Sequence, residues 1–182
     1  SHLQKTLFEE GNKLHTNRKS VTEKLRSKVE KILSDLAMED AQLVIPIEKL
    51  DQPGPNGIDK VDFKFSANRG SQLSSIKNVA SGGELSRLAL ALKSIVARAM
   101  TLPSLVFDEI DQGVSGDISL KMAHILRKMS GKHQIIVITH SAQIAAQGDK
   151  HFFVYKESNN ERTFTKIHTL KSSFKIHALR NT

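Results

Sequence analysis

Apolar positions in the first forty residues fall at helical spacing. Leu7, Leu14 and Val21 lie seven residues apart, and steps of four and three continue the series through Leu25, Val29, Ile32 and Leu36. Between residues 3 and 38 there is no proline and only one glycine, so this pattern predicts a long amphipathic helix. Its apolar stripe is narrow, which favours a coiled-coil arm over residues 1–38 that enters a larger domain. The alternative is an ordinary surface helix packed on the core.

The pattern then changes to short β-prone segments. Residues 43–47 and 61–65 flank a stretch rich in proline and glycine at 51–59, which predicts a hairpin. In the second segment apolar residues alternate with Asp62 and Lys64, so one face of that strand is predicted to be buried. The polar residues 67–79 predict an irregular loop.

Two longer helices and two strands are predicted next. The helices cover Gly83 to Met100 and Gly116 to Met129, and continuous apolar runs at 104–107 and 134–138 flank the second helix. Such runs are typical of parallel strands covered by helices on both faces. The strand, helix, strand order implies a right-handed crossover, with the residues that follow both strands at one edge of the sheet.

The last patterned segments, 151–155 and 162–167, predict a terminal hairpin. Residues 39–170 are therefore predicted to form one α/β domain, and residues 171–182 a tail of uncertain structure. The length of 182 residues and the 38% of hydrophobic residues suit one such domain with an appendage.

Charge and composition narrow the function classes. The net charge is +8, and the excess of Lys and Arg lies in residues 1–31 and 150–182. These basic segments are either solvated surfaces or a surface that contacts DNA. The absence of cysteine excludes disulfides and thiolate metal sites. No apolar run reaches the roughly 20 residues of a membrane span, and no secretory signal is evident, so a cytoplasmic location is expected.

Small residues directly precede the first of the two later helices. Ser81, Gly82 and Gly83 place a hydroxyl and backbone amides at the positive end of a helix dipole, where a phosphate would bind. A serine followed by glycines, with Glu84 in the first turn, is also what an ordinary N-cap requires. Arg87, one turn further on, would pair with Glu84 or hold the loop.

Charged and polar residues end both apolar strands. Asp108 and Glu109 are adjacent carboxylates, costly at the end of a buried strand unless they serve a cation or a reacting water. Asp108 would hold Mg2+ and Glu109 would activate water, whereas the alternative is an acidic cluster that continues with Asp111. His140 ends the next strand, within reach of a phosphate oxygen or in a structural role.

A phosphate-cradling G-x-x-x-x-G-K-[ST] motif is not found in this sequence. Gly131 and Lys132 do not complete one, because Leu126 occupies the first glycine position and His133 the hydroxyl position. The other seven histidines show no ligand-like spacing, so no zinc site is predicted. The chain is therefore expected to contribute to nucleotide chemistry without gripping a triphosphate itself.

The serine and glycine loop at 81–83, the carboxylates Asp108 and Glu109, and His140 together resemble the C-terminal lobe of ABC-type P-loop ATPases. The sequences of residues 79–87 and 107–116 are similar to those of the RecN family, whose members are bacterial SMC-like proteins of double-strand-break repair. This resemblance covers roughly residues 20–170. A transporter head usually has proline after the catalytic glutamate and aspartate near position 115, whereas Ile110 and Ser115 stand here. An ABC transporter subunit and a non-catalytic DNA- or partner-binding module are the alternatives.

The resemblance implies a role for each motif. Ser81, Gly82, Gly83 and Glu84 would form the signature loop that contacts ATP of the opposite head. Asp108 and Glu109 would be the Walker B pair with Mg2+, and His140 the switch histidine. The loop that crosses the dimer seam would contain Asp111, Gly113, Ser115 and Gly116, where Ser115 departs from the usual aspartate.

It also implies partners. An N-terminal lobe of the same protein would supply the phosphate loop, two heads would sandwich ATP, and DNA would be engaged in the cytoplasm at the nucleoid. The long helix would be the returning strand of an antiparallel coiled coil. The chain alone is expected to be inactive as an ATPase.

Overall fold

The computed structural model describes residues 2–79, 81–114, 116–159 and 162–170. Ser115 of the predicted seam loop and the predicted tail at 171–182 lie outside these residues. The chain divides between Thr101 and Leu102 into two compact units, each of which combines helices and strands. The predicted division into arm and domain at residue 38 stays a prediction.

The predicted long helix is confirmed as α1, His2–Asp35. Its final turns bury Val29 and Leu33, whereas Leu7 is half exposed. The helix ends where Ala37 adopts φ 58° and the N–H of Met38 donates to the carbonyl of Leu33 at 2.9 Å. A left-handed residue after the last turn is a common helix ending, because it lets following N–H groups satisfy the final carbonyls.

Five short strands follow in the first unit: β1 Gln42–Val44, β2 Ile47–Gly54, β3 Gly57–Val61, β4 Lys64–Ser66 and β5 Ser74–Ser75. The predicted hairpin is confirmed, with Leu43 opposite Phe65 and Ile47 opposite Val61. Two details of the prediction are wrong. Most of the stretch 51–59 is strand, and the loop 67–79 contains β5 and a 3-10 turn.

The expected alternation along residues 61–65 also fails at its first member. Val61 is 39% exposed while Phe65 is buried. The cause is a break between β3 and β4 at residues 62 and 63, which interrupts the period of two on which the prediction depended.

The hairpin β2–β3 packs against α1. Gly11 is buried, and a Cβ added there would lie 2.7 Å from Cγ2 of Ile58, so the close approach requires glycine. Asp59 has a fully buried side chain that accepts hydrogen bonds from His15 at 2.6 Å and Arg18 at 3.0 Å. Steric fit and a buried polar cluster thus hold this hairpin on the helix.

The core of the first unit forms between the end of α1, the strands and helix α2, Gly82–Met100. Its buried apolar residues come from all three regions: Val29, Leu33, Met38, Ala41, Leu43, Phe65, Leu88 and Ala91. The predicted helix from Gly83 is therefore confirmed, and its buried face anchors the loop that precedes it.

The second unit begins with a strand, helix, strand sequence, as predicted: β6 Ser104–Asp108, α3 Gly116–Ser130 and β7 Gln134–Ile138. β6 and β7 are parallel, with Ser104 opposite Gln134 and Asp108 opposite Ile138. The short helix α4, Ala142–Ala145, follows β7. The terminal hairpin is confirmed as β8 His151–Ser158 and β9 Thr163–Leu170, longer than predicted.

Within the described residues, helices do not cover both faces of these parallel strands, contrary to the expectation from the apolar runs. Leu105 and Phe107 are buried, but Val106 is 54% exposed and Ile138 53% exposed. The burial alternates along both strands, so within the described part of the chain one face of the two-stranded sheet is more buried than the other. Within the described residues, no helix combines the length and apolar character needed to cross a bilayer.

Candidate functional site

The serine and glycine loop lies in the first unit. Ser81 is exposed, has extended backbone angles and precedes α2, and its carbonyl accepts from the N–H of Leu85 at 3.0 Å. Its hydroxyl makes no capping hydrogen bond to the first turn. The ordinary N-cap interpretation therefore does not account for this side chain, whose hydroxyl lies at the positive end of the helix dipole.

Gly82 is exposed, Gly83 is buried, and Glu84 is half-buried in the first turn. Arg87 holds the loop rather than pairing closely with Glu84. Its guanidinium donates to the carbonyl of Gly83 at 3.1 Å and to that of Leu36 at 3.1 Å. Burial lowers the pKa of Arg87, opposed by the charge of Glu84. The side chain thereby ties the start of α2 to the end of α1.

Two exposed carboxylates lie at the end of β6 in the second unit. Asp108 is the last residue of the strand, and Glu109 follows it. The N–H of Glu109 donates to the carbonyl of Ile138 at 3.0 Å, which extends the parallel ladder by one step. Glu109 has φ 46°, a left-handed conformation that L-residues rarely adopt and that is concentrated at functional sites.

His140 lies beside these carboxylates in the fold, directly after β7. Because Asp108 is opposite Ile138 in the parallel ladder, the residues that follow both strands emerge at the same edge of the sheet. The His140 side chain is 74% exposed, and its Nδ1 lies 3.6 Å from Oδ2 of Asp111. The predicted convergence of Asp108, Glu109 and His140 at one sheet edge is thus found.

The turn after β6 carries the predicted seam residues. Gly113 has φ 68° and Gly116 has φ 57°, so both occupy backbone conformations that favour glycine. Both are exposed, whereas Asp111 is fully buried and contacts its own unit. The role of this loop at a seam between heads stays a prediction.

Sequence reasoning did not find the part played by Thr139 and Ser141. Oδ2 of Asp111 accepts from the Thr139 hydroxyl at 2.6 Å and from the Ser141 N–H at 2.9 Å. Ser141 also caps α4, since its hydroxyl accepts from the N–H of Ile144 at 3.4 Å. The sequence offered one signal for this role, because Thr139 and Ser141 place hydroxyl groups on both sides of His140 at the end of a strand.

The donor set fits a magnesium ion that arrives with a nucleotide. Among the described residues, no group of three or more His, Asp or Glu side chains converges as an ion site. Mg2+ is commonly held by one or two carboxylates together with phosphate oxygens and water. The exposed carboxylate of Asp108 suits that arrangement, and a dedicated protein cage is not required.

Comparisons with known proteins find relatives that are similar over most of this chain. The chain is 35% identical over 178 residues to the DNA repair protein RecN of Vibrio cholerae, covering 97% of this chain and 32% of that protein. Against RecN of Treponema pallidum it is 39% identical over 161 residues, 85% of this chain and 28% of that protein. Against RecN of Bacillus subtilis it is 36% identical over 174 residues, which cover 87% of this chain and 30% of that protein. The chain spans about a third of the length of these relatives.

Solved structures show the same fold. An Smc head domain with a coiled coil and joint from Pyrococcus yayanosii aligns with a TM-score of 0.65 at 20% identity, over 93% of this chain and 32% of that one. A second Smc head, from Pyrococcus furiosus, gives a TM-score of 0.60 at 20% identity, over 94% of this chain and 42% of that one. No family model matches the sequence.

The fold is that of an ABC-type P-loop ATPase lobe, and the carboxylates and the histidine follow the ends of its parallel strands β6 and β7. Similarity to RecN proteins extends over nearly the whole chain. The chain belongs to the RecN family and is the C-terminal lobe of its head.

Proposed function

We propose that this chain supplies the signature loop, the Walker B carboxylates and the switch histidine of an ATPase head that acts in repair of DNA double-strand breaks. One observation carries the catalytic part of the proposal. Asp108, Glu109 and His140 emerge together where the parallel strands β6 and β7 end, and the Glu109 N–H bonds to Ile138. Adjacent carboxylates and a histidine at that edge match the needs of phosphoryl transfer to water.

Each residue would have a distinct role. Asp108 would hold Mg2+, which neutralises developing phosphate charge when bound. Glu109 would orient and deprotonate the attacking water, and His140 would contact the γ-phosphate. Ser81 and the amides of α2 would contact ATP held by a second head, through the signature loop of Ser81, Gly82, Gly83 and Glu84.

The uncovered sheet face supports an N-terminal lobe as partner. Val106, Ile136 and Ile138 form an apolar row on β6 and β7 that is about half exposed. An exposed apolar row of this kind suits an interface, and about two thirds of the length of the relatives lies beyond this chain. That remainder would supply the phosphate loop, and this chain alone would not hydrolyse ATP.

DNA as a further partner is supported by charge on α1. Lys24, Lys28 and Lys31 are exposed and follow the i, i+4, i+7 spacing of one helix face. The solved structures include one described as showing ATP-driven dimerization and DNA-stimulated activation of SMC ATPases, with a TM-score of 0.57. A head dimer that engages DNA in the cytoplasm, at the nucleoid, follows as part of the proposal.

The decisive experiment measures magnesium-dependent ATP hydrolysis by the full-length protein with Glu109→Gln. This change keeps the size of the side chain but removes the base, so turnover should fall by about 100-fold or more. Glu9→Gln, at an exposed position on α1, is the matched control and should leave turnover unchanged. Hydrolysis that persists in Glu109→Gln would overturn the enzymatic role and leave a non-catalytic binding module.

DNA binding is tested separately with a triple Lys→Gln variant at positions 24, 28 and 31. If all three contact phosphates, the slope of log affinity against log salt should become shallower by about 3. The same change at Lys121, Lys128 and Lys132, which are exposed in and after α3, provides the control. Equal losses from both triples would indicate only a general charge effect.

A further inference from the structure

The Asp111 carboxylate joins the two loops of the site. It belongs to the turn that begins with Glu109, and its side chain is fully buried. One oxygen, Oδ2, accepts hydrogen bonds from the hydroxyl of Thr139 and the N–H of Ser141, which are the two neighbours of His140 in the chain. The loop after β7 is thus fixed on both sides of the histidine by a residue of the loop after β6.

The same oxygen faces the imidazole. Nδ1 of His140 lies 3.6 Å from Oδ2, within ion-pair range but longer than a hydrogen bond. The ring itself is 74% exposed, and its side toward Asp111 faces this oxygen. Thr139 strengthens the arrangement, because its hydroxyl also accepts from the Ser141 N–H at 2.9 Å.

Hydrogen bonding within the described residues accounts for only one of the two oxygens of this carboxylate. The second oxygen, Oδ1, is buried and accepts no hydrogen bond from the part of the chain that the structure describes. A buried polar atom without a partner costs folding free energy, and such atoms in native proteins call for a functional reason. An amide of equal size would meet the Thr139 and Ser141 donors without burying a charge.

We propose that Asp111 is a positioning residue for His140, and that it couples the loop bearing Glu109 to the histidine that would contact the γ-phosphate. This inference rests on the proposed ATPase function. It assigns Asp111 a role inside its own lobe, through Thr139, Ser141 and the His140 ring. Movement of the Glu109 turn would then be transmitted directly to the histidine.

A double-mutant cycle in the full-length ATPase tests the coupling. Asp111→Asn should lower kcat by about tenfold with little change in KM for ATP, because the contact acts on the reacting phosphate. In the His140→Ala background the same change should lower kcat by less than about twofold. Losses that multiply, or a kcat for Asp111→Asn close to wild type, would overturn the proposal.

Thr139→Val provides a second route if Asp111→Asn fails to fold. It removes one of the two ties to Oδ2 and should show the same lack of additivity with His140→Ala. Asp51→Asn and Thr16→Val, both at exposed positions in the first unit, are the matched controls and should leave kcat unchanged.

A spectroscopic measurement separates this inference from the proposed function, since it needs no turnover. In the 182-residue chain labelled at histidine nitrogen, the His140 ring resonances are assigned by their loss in His140→Ala. Asp111→Asn should shift and broaden them while those of His124, exposed on α3, stay unchanged. Unaltered His140 resonances would refute the positioning role even if hydrolysis depends on Glu109.

Discussion

The backbone N–H of Glu109 donates to the carbonyl of Ile138 at 3.0 Å, and Glu109 itself adopts φ 46°. Glu109 is exposed and lies just beyond Asp108 and Ile138, the last paired residues of two parallel strands. A left-handed conformation costs an L-residue about 1–2 kcal/mol relative to its usual one. Local strain therefore accompanies the position predicted to activate water.

Glu109→Gly should stabilise the chain while abolishing hydrolysis. Glycine adopts this φ without penalty, so the free energy of unfolding should rise by about 1 kcal/mol, measured by urea denaturation. ATP turnover of the full-length variant should fall as in Glu109→Gln. Gln112→Gly, in the same turn but without positive φ, should instead destabilise; equal effects of both changes would show that no strain is stored at Glu109.

The site illustrates what local sequence pattern can and cannot predict. Apolar runs that end in Asp108 and His140 predicted the strands and their common edge, because strand length and polar termination are local signals. The burial of Asp111 depends on Thr139 and Ser141, about thirty residues away, and no local pattern carries that information. The exposure of Val106 was missed because an apolar run does not reveal which faces of a strand the rest of the chain covers.

Packing of the hairpin on α1 was equally hidden from the sequence. Gly11 interrupts a helical pattern, and its reason is the contact with Ile58, 47 residues later. His15 and Asp59 likewise meet across 44 residues. Close approach and buried polar pairing are tertiary features, so they become visible only once the elements are placed.

Gly11→Ala should destabilise the chain despite the higher helix propensity of alanine. Propensity would add about 1 kcal/mol, but the new Cβ would lie 2.7 Å from Cγ2 of buried Ile58, and overpacking costs roughly 1–3 kcal/mol. In the Ile58→Ala background, where this methyl group is absent, Gly11→Ala should become stabilising by about 1 kcal/mol. Chemical denaturation of the wild type and the three variants measures both effects, and a sign that does not reverse would exclude steric contact as the cause.

Asp59 should make stability depend on acid pH. Burial alone would raise the pKa of Asp59, but hydrogen bonds from His15 and Arg18 hold it below its usual value. A lowered folded-state pKa contributes stability above the unfolded-state value of about 4, and this contribution is lost as pH falls through the folded-state pKa. Asp59→Asn should therefore flatten the loss of stability below about pH 4, measured by denaturation across pH. Asp51→Asn, exposed on β2, should retain the wild-type profile, and identical profiles for all three proteins would contradict the role of Asp59.

A charge introduced on the exposed face of β6 and β7 should have little effect on the stability of the isolated chain but should impair ATP hydrolysis by the assembled head. Ile136 is 46% exposed, so Ile136→Lys should change the stability of the 182-residue chain by no more than about 0.5 kcal/mol. If an N-terminal lobe covers this face, its docking would remove water from the lysine charge. ATP hydrolysis that is restored by adding that lobe should then fall at least tenfold, roughly the cost of a poorly compensated charge. Leu120→Lys, at a 41% exposed position on α3, controls for added charge on the same unit. Full complementation by Ile136→Lys would place the covering lobe elsewhere on the chain.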